Sequence, residues 1–137
     1  MKRLLIAAAL AASFGSAQAD AVQDYRIGTQ SRYEECEFKR LIVLMDLATG
    51  KTPSDIYERC LVDGNKDARD QYAAAAKQVS KKPAAIAALK DHLVRVLAAS
   101  RGLDVAVGGE RKFLYEARQS ALNAAVEEAW IRFEVEL

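Results

Sequence analysis

Two cysteines carry the chemistry that the sequence predicts most directly. Cys36 and Cys60 are the only cysteines in the chain. In an oxidising compartment, two thiols in a small domain most often close one disulfide. A zinc or copper site would need more ligands, and neither a C-x-x-C nor an H-E-x-x-H spacing is present. We therefore predict a Cys36–Cys60 disulfide, with a redox-active pair as the alternative.

His92 is the one imidazole that could serve as a base for nucleophilic catalysis, because the chain contains a single histidine. It lies between Asp91 and Leu93 in a segment with helical periodicity, and neither a G-x-S-x-G nor an S-x-x-K motif is present. These neighbours favour a partly exposed structural histidine. The sequence predicts no catalytic residue, no metal ligand and no cofactor.

Carboxylates are the other groups that could act as catalysts, because a pair of them can cleave a glycan. Glu34, Glu35 and Glu37 fall in the predicted first turns of a helix, where the helix dipole favours negative charge. Glu127 and Glu128 fall on a predicted polar face. Solvated helix surfaces account for both groups, and a hidden active acid is the alternative.

Neither phosphate binding nor nucleic-acid binding has a motif in this sequence. Gly108 and Gly109 precede a predicted helix, but the lysine of a P-loop and the third glycine of a dinucleotide fold are missing. Lys and Arg number 20 against 19 Asp and Glu, so the formal net charge is +1. A chain without excess charge is not expected to bind nucleic acid or anionic lipid.

Residues 1–19 have the three parts of a secretory signal peptide. Lys2 and Arg3 provide the basic start, the run 4–12 is apolar, and Ala17 and Ala19 frame an A-x-A cleavage site. The apolar run is far shorter than the roughly 20 residues that span a membrane. We therefore predict cleavage after Ala19, a single domain over 20–137, a periplasmic or secreted location and no membrane insertion.

The remaining sequence is rich in alanine and predicts an all-α fold. Glycine and proline place helix breaks at 50–51, near Gly64, at 80–83 and at 102–109. Residues 20–30 lack a clean period and are predicted to be a frayed arm or a short helix. The most economical architecture is a small bundle of four main helices with this N-terminal arm.

The short connection at 50–51 predicts that the first two helices form an antiparallel hairpin, which the Cys36–Cys60 disulfide would tie. At a rise of about 1.5 Å per residue, the two cysteines lie about one helical turn out of register across that connection. A tilt or a looser turn would have to absorb the difference. Ser31 and Glu34 have the spacing of a capping box for the first helix, and Thr52 and Asn65 are predicted caps further on.

Apolar spacing identifies the predicted core faces. In the first helix this face consists of Phe38, Leu41, Met45 and Ala48. Further along the chain it consists of Ile56, Tyr57, Cys60 and Leu61; Ala68, Tyr72, Ala75, Ala76 and Val79; Ile86, Leu89, Leu93, Val96 and Leu97; and Leu122, Val126, Ala129 and Phe133, with Leu114, Ala117, Ala121 and Ala125 beside the last set.

The segment 102–109 alternates apolar residues with small or polar ones and is predicted to be a flexible linker. Apolar side chains on such a loop can form a recognition finger. The candidate partner-binding residues are Leu103, Val105, Val107, Gly108 and Gly109. The competing interpretation is that the three apolar side chains fold down and cap the bundle.

Together these features favour an exported, non-enzymatic module that acts by occupying a protein partner. In signal, size, helicity and cysteine pair, the chain resembles the small exported all-helical inhibitors of bacteria, such as immunity proteins against secreted cell-wall-cleaving toxins. The resemblance implies an inhibitory role in the cell envelope and assigns no site residues.

Two other classes of function are kept as alternatives. The first is a structural, assembly or chaperone-like envelope factor, although the L-T-x-x-Q repeats of helical-hairpin chaperones are absent. The second is a cell-envelope hydrolase that uses a carboxylate. The thin core of an alanine-rich domain also favours a homodimer.

Overall fold

The computed structural model describes residues 20–106 and 112–137. These residues form four helices, α1 (Ala21–Ala48), α2 (Ile56–Gln78), α3 (Pro83–Ala106) and α4 (Lys112–Glu136). Contacts between consecutive helices run in opposite directions, so the chain passes up, down, up and down through a bundle. The predicted all-α bundle with an α1/α2 hairpin is confirmed. The predicted signal peptide at 1–19 lies outside the described residues.

α1 begins eleven residues earlier than a helix capped at Ser31 would. Asp20 is its N-cap, and its Oδ1 accepts hydrogen bonds from the backbone N–H groups of Val22 and Gln23, each at 3.2 Å. Such bonds satisfy donors that the first turn of a helix leaves free. Val22 and Tyr25 are buried in the core. The predicted arm at 20–30 is therefore the first part of α1, and Ser31 lies inside the helix.

α2 passes through Gly64 without a break, so the predicted helix end at Gly64 and the cap at Asn65 are wrong. A Cβ atom at Gly64 would lie 2.6 Å from Cγ of Arg32 on α1, and one at Gly28 would lie 2.2 Å from Oε1 of Gln71 on α2. These glycines allow α1 and α2 to approach closely. The packing that this permits outweighs the low helix propensity of glycine, which costs about 1 kcal/mol.

The connection between α1 and α2 is longer than predicted and covers 49–55. Gly50 adopts a φ of 73°, a left-handed conformation that favours glycine, and Asp55 instead of Thr52 precedes α2. This looser connection absorbs the predicted offset between the cysteines. Cys36 and Cys60 are bonded, with their Cα atoms 5.5 Å apart, which confirms the predicted disulfide.

The core consists of two clusters towards opposite ends of the bundle. The first draws on all four helices and includes Tyr25, Ala75, Leu89, Trp130 and Phe133. The second surrounds the disulfide and includes Val43, Tyr57, Leu103 and Tyr115. Buried members of the predicted core faces are Tyr57, Cys60, Ala68, Ala75, Val79, Leu89, Leu93, Val96, Ala129 and Phe133. The predictions for α2 and α3 and for the second half of α4 thus agree with the structure.

Two other predicted core faces point outward. In α1 the buried residues include Cys36, Arg40 and Val43, whereas the predicted stripe of Phe38, Leu41, Met45 and Ala48 is exposed. In the first half of α4, Tyr115 and Gln119 are buried, whereas Leu114, Ala117 and Ala121 are exposed. Each wrong face lies on a helix that has apolar residues on more than one side, so that spacing alone did not identify the buried one.

We expect the disulfide to account for a large part of the stability of the bundle. Replacing both Cys36 and Cys60 by Ala should lower the free energy of unfolding by about 3 kcal/mol, because the unfolded chain is no longer constrained by a loop that spans 24 residues. Denaturant unfolding monitored by circular dichroism measures this change. A reductant should destabilise the wild-type protein and leave the double variant unaffected. Equal unfolding midpoints for the two proteins without reductant would contradict the prediction.

Candidate functional site

The outward stripe of α1, defined as Phe38, Leu41, Met45 and Ala48, is an exposed apolar surface. The side chains of Phe38, Leu41 and Met45 are 64%, 46% and 68% exposed. Their spacing of three and four residues places them on one side of the helix. Single exposed apolar residues are normal on a protein surface, but a contiguous patch marks a site of interaction.

The disulfide explains why this stripe faces outward. Cys36 is bonded to α2 and is therefore held on the inner side of α1. Val43 follows after two helical turns on the same side and is only 2% exposed. Phe38 and Met45 each lie two residues further along, which rotates them by about 200° to the opposite side of the helix. The bond that closes the hairpin thus fixes the stripe on the surface.

The segment 41–47 is apolar around the whole helix, with Asp46 as its one charged residue. Val43 fills the inner side, and Ile42 and Leu44 are half-buried on the two flanks of the stripe. A helix that is hydrophobic on every side is normally buried on every side. The outer side of this segment therefore has the composition of a covered surface.

A groove between α1 and α2 runs beside the stripe. Phe38, Ile42 and Ile56 supply its apolar part. Its three basic side chains are paired: Lys39 with Glu35 at 2.5 Å, Arg59 with Asp55 at 2.8 Å, and Arg32 with Asp67 at 2.7 Å. Asp63 also lines the groove. The groove therefore continues the apolar surface of the stripe towards α2 and is bordered by basic side chains that are already paired.

On its other flank α1 is joined to α4 through Glu37. The Glu37 carboxylate accepts hydrogen bonds from the Tyr115 hydroxyl at 2.7 Å and from Nη2 of Arg40 at 2.8 Å, and the Arg40 guanidinium lies 4.0 Å from the centre of the Tyr115 ring. Burial alone would raise the pKa of Glu37, but these hydrogen bonds outweigh it and hold that pKa below its usual value. Glu37 is therefore a structural carboxylate.

The three glutamates lie in the middle of α1, so the prediction that they occupy the first turns of a helix is wrong. Glu35 receives hydrogen bonds from Arg32 and Lys39, and these hold the pKa of its exposed carboxyl below the usual value. Glu34 is exposed and accepts a hydrogen bond from Gln30 one turn earlier. Each carboxylate has a local partner in the helix.

His92 is completely buried, contrary to the predicted partly exposed position. Its ring packs edge-on against Tyr25 and Trp130. Nε2 lies 3.5 Å from Nη1 of Arg26, and Nδ1 lies 2.8 Å from the Tyr25 hydroxyl oxygen. A guanidinium can only donate, so a hydrogen bond from Arg26 requires Nε2 as the acceptor and leaves Nδ1 to donate to Tyr25. His92 therefore occupies a polar position inside the core.

Burial, assisted by the positive charge of Arg26 and opposed by the acidic groups Glu127 and Asp91, lowers the pKa of His92 to about 4. The ring is consequently neutral at physiological pH. A base enclosed in this way cannot reach a substrate in solution. The structure thus places the one histidine among core residues.

A cleft of about 300 Å³ separates α1 from α3 and α4. Arg26 spans it and donates to Oε1 of Glu127 at 2.7 Å, while its guanidinium lies 4.9 Å from the centre of a Trp130 ring. Val96 and Ala99 line the floor of the cleft. The charges of Arg26 and Glu127 at its rim neutralise each other in an ion pair across the cleft. The cleft therefore does not favour ligands of one charge.

The segment 102–109 differs from the predicted linker in its first half. Gly102 and Leu103 lie in α3, and the Leu103 side chain is fully buried. Leu103 thus packs in the core, as the capping interpretation has it. α3 also includes the backbone of residue 105, but the Val105 side chain lies outside what the structure describes. Val107, Gly108 and Gly109 lie outside the described residues altogether.

The described part of the chain contains neither a membrane-spanning helix nor a cluster of metal ligands. None of its helices has the length and hydrophobicity needed to cross a membrane. Its His, Cys, Asp and Glu side chains form no group of three or more that could hold a metal ion.

Comparison with protein-family models, with curated proteins and with solved structures finds no match to this chain. Its candidate site therefore depends on the residues and geometry described above.

We expect the single histidine to show no titration in the folded protein between pH 8 and pH 5.5. Its folded pKa is about 4, whereas an unperturbed histidine titrates near 6.5. One imidazole C2–H signal in the proton NMR spectrum reports the protonation state directly. The urea-unfolded protein should titrate near 6.5 and serves as the control.

The same difference makes stability depend on pH. Below about pH 6.5 the histidine of the unfolded chain binds a proton, and that of the folded protein does not. The contribution of His92 to the free energy of unfolding is therefore fully present above about pH 6.5 and is lost as the pH falls towards 4. A folded-state signal that titrates near 6.5 would contradict the enclosed position of the ring.

Proposed function

We propose that this protein is an exported, non-enzymatic binding module that acts by occupying a protein partner through the outward stripe of α1. The proposal is carried by one observation: Phe38, Leu41 and Met45 form an exposed apolar line on the most hydrophobic segment of the described chain. Together they expose roughly 300 Å² of apolar surface, a size typical of functional patches on monomeric proteins.

The contacts that hold α1 against the bundle support a binding role for the stripe. The disulfide and the buried Val43 hold the inner side of α1 against the bundle. A rigid helix loses little conformational entropy when it binds, and so more of its contact energy appears as affinity. The same frame supports an inhibitor, because a fixed surface can block a partner without changing shape.

The disulfide also supports export. Such bonds form and persist in oxidising compartments, including the bacterial periplasm and the extracellular space. Residues 1–19 have the pattern of a secretory signal peptide. We therefore assign the protein to the periplasm or the extracellular space.

A non-enzymatic role agrees with the surroundings of the titratable groups. His92 is enclosed by Tyr25, Arg26 and Trp130. Glu35 and Glu37 are engaged by basic and hydroxyl groups of neighbouring residues. We assign no catalytic residue.

Two substitutions on the stripe should abolish partner binding and leave folding intact. Changing Phe38 and Met45 to Asp alters exposed side chains, so the free energy of unfolding should change by less than about 1 kcal/mol. Changing Val62 on α2 to Asp is the matched control, because Val62 is 69% exposed, close to the 68% of Met45. Denaturant unfolding measures the stability of each variant.

Binding is measured with a photo-crosslinking amino acid at position 41 or, as the control, at position 62, in the full chain expressed in its source cells. Position 41 should yield a protein adduct that disappears in the Phe38→Asp/Met45→Asp background. Adducts of equal yield at both positions, or no protein adduct at position 41, would overturn the proposed function.

A further inference from the structure

We propose that the partner at the outward stripe is a second copy of this chain, with two α1 helices packed antiparallel around a two-fold axis. This inference rests on the proposed function and names the partner for the same surface. It follows from the spacing, the side-chain sizes and the charges along α1.

The stripe has the spacing of a coiled-coil seam. Phe38, Leu41, Met45 and Ala48 are separated by three, four and three residues, which are the a and d positions of a heptad. Cys36 and Val43 then occupy the positions opposite the seam, and both are buried in the bundle. One side of α1 is thus used inside the monomer, and the seam is left for a partner helix.

The seam is complementary to itself when two copies run antiparallel. In such a pair, a positions meet d positions. Phe38 then packs against the partner's Ala48, and Leu41 packs against the partner's Met45. The largest side chain meets the smallest, so the two surfaces interlock without a void. On the two flanks, Ile42 lies near Ile42 of the second copy, and Leu44 lies near Leu44 of the second copy.

The charges at the two ends of the stripe select the antiparallel arrangement. Glu34 lies one turn before Phe38, and Lys51 lies just beyond the end of the helix; both are exposed. An antiparallel pair brings Glu34 close to the partner's Lys51, twice in each dimer. A parallel pair would instead bring Glu34 near the partner's Glu34, where like charges repel.

The size of the surface predicts a weak dimer. Phe38, Leu41 and Met45 expose roughly 300 Å² on each copy, and Ile42 and Leu44 lie beside them. The total buried area is therefore well below about 1,200 Å², which is the size of weak, transient interfaces. Dissociation constants in the micromolar range go with such interfaces. Self-association should therefore depend on protein concentration.

Reversing the two end charges tests this arrangement. Glu34→Lys should weaken self-association about tenfold, because two attractive pairs become repulsive, and Lys51→Glu should do the same. The double variant Glu34→Lys/Lys51→Glu restores opposite charges and should return to the wild-type dissociation constant. Glu58→Lys on α2, an exposed position away from the stripe, is the control and should change nothing.

Sedimentation equilibrium of the full mature chain from 1 µM to 1 mM, at low salt, measures each dissociation constant, and circular dichroism confirms that each variant is folded. A wild-type chain that stays monomeric throughout would overturn the proposal. A dimer that the single charge reversals do not weaken, or that the double variant does not restore, would also overturn it.

The crosslinker at position 41 separates this inference from the proposed function. An adduct of twice the chain mass, joined to the segment 41–48 of the partner, supports the second copy. An adduct with a different protein overturns the second copy and leaves the proposed function standing. The absence of any protein adduct overturns both.

Discussion

The bond between Cys36 and Cys60 fixes the rotation of α1 about its own axis, and this rotation decides which residues the protein presents to its surroundings. Cys36 has to face α2, and Val43 shares its side of the helix because two turns separate them. The outward stripe lies on the other side. A rotation that buried the stripe would carry Cys36 out of reach of Cys60. The disulfide therefore closes the hairpin and exposes the apolar surface through the same geometric requirement.

The bundle is uneven around its circumference, and this gives α1 its particular setting. Helix α1 packs closely on α2, where Gly28 and Gly64 remove side chains from the contact. Towards α4 the two helices stay apart and are joined by long polar side chains, among them Arg26 with Glu127 and Glu37 with Tyr115. One flank of α1 is thus fixed by backbone proximity and the other by hydrogen bonds, which leaves its outer face free of both.

Much of this fold could be predicted from the sequence, and the failures have specific physical causes. The helix break predicted at Gly64 is wrong, because the glycine there makes room for the Arg32 side chain of α1. A local sequence pattern does not show such a contact between helices. His92 is more enclosed than predicted because Tyr25 comes from a segment taken for an arm. The stripe was assigned to the core although Cys36 and Phe38 cannot face the same way on one helix. The predicted disulfide already contained the information that places the stripe outward.

Binding at the exposed stripe would be linked to the stability of this protein. Burying Phe38 and Met45 in the monomer would gain about 1.5–3 kcal/mol for each side chain. Breaking the disulfide to do so would lose about 3 kcal/mol. These free energies are of similar size. The stability of the isolated bundle therefore does not by itself explain why one side of its most hydrophobic segment is exposed to solvent. A partner that covered the stripe would recover the missing burial, and any partner that binds only the folded chain also stabilises it.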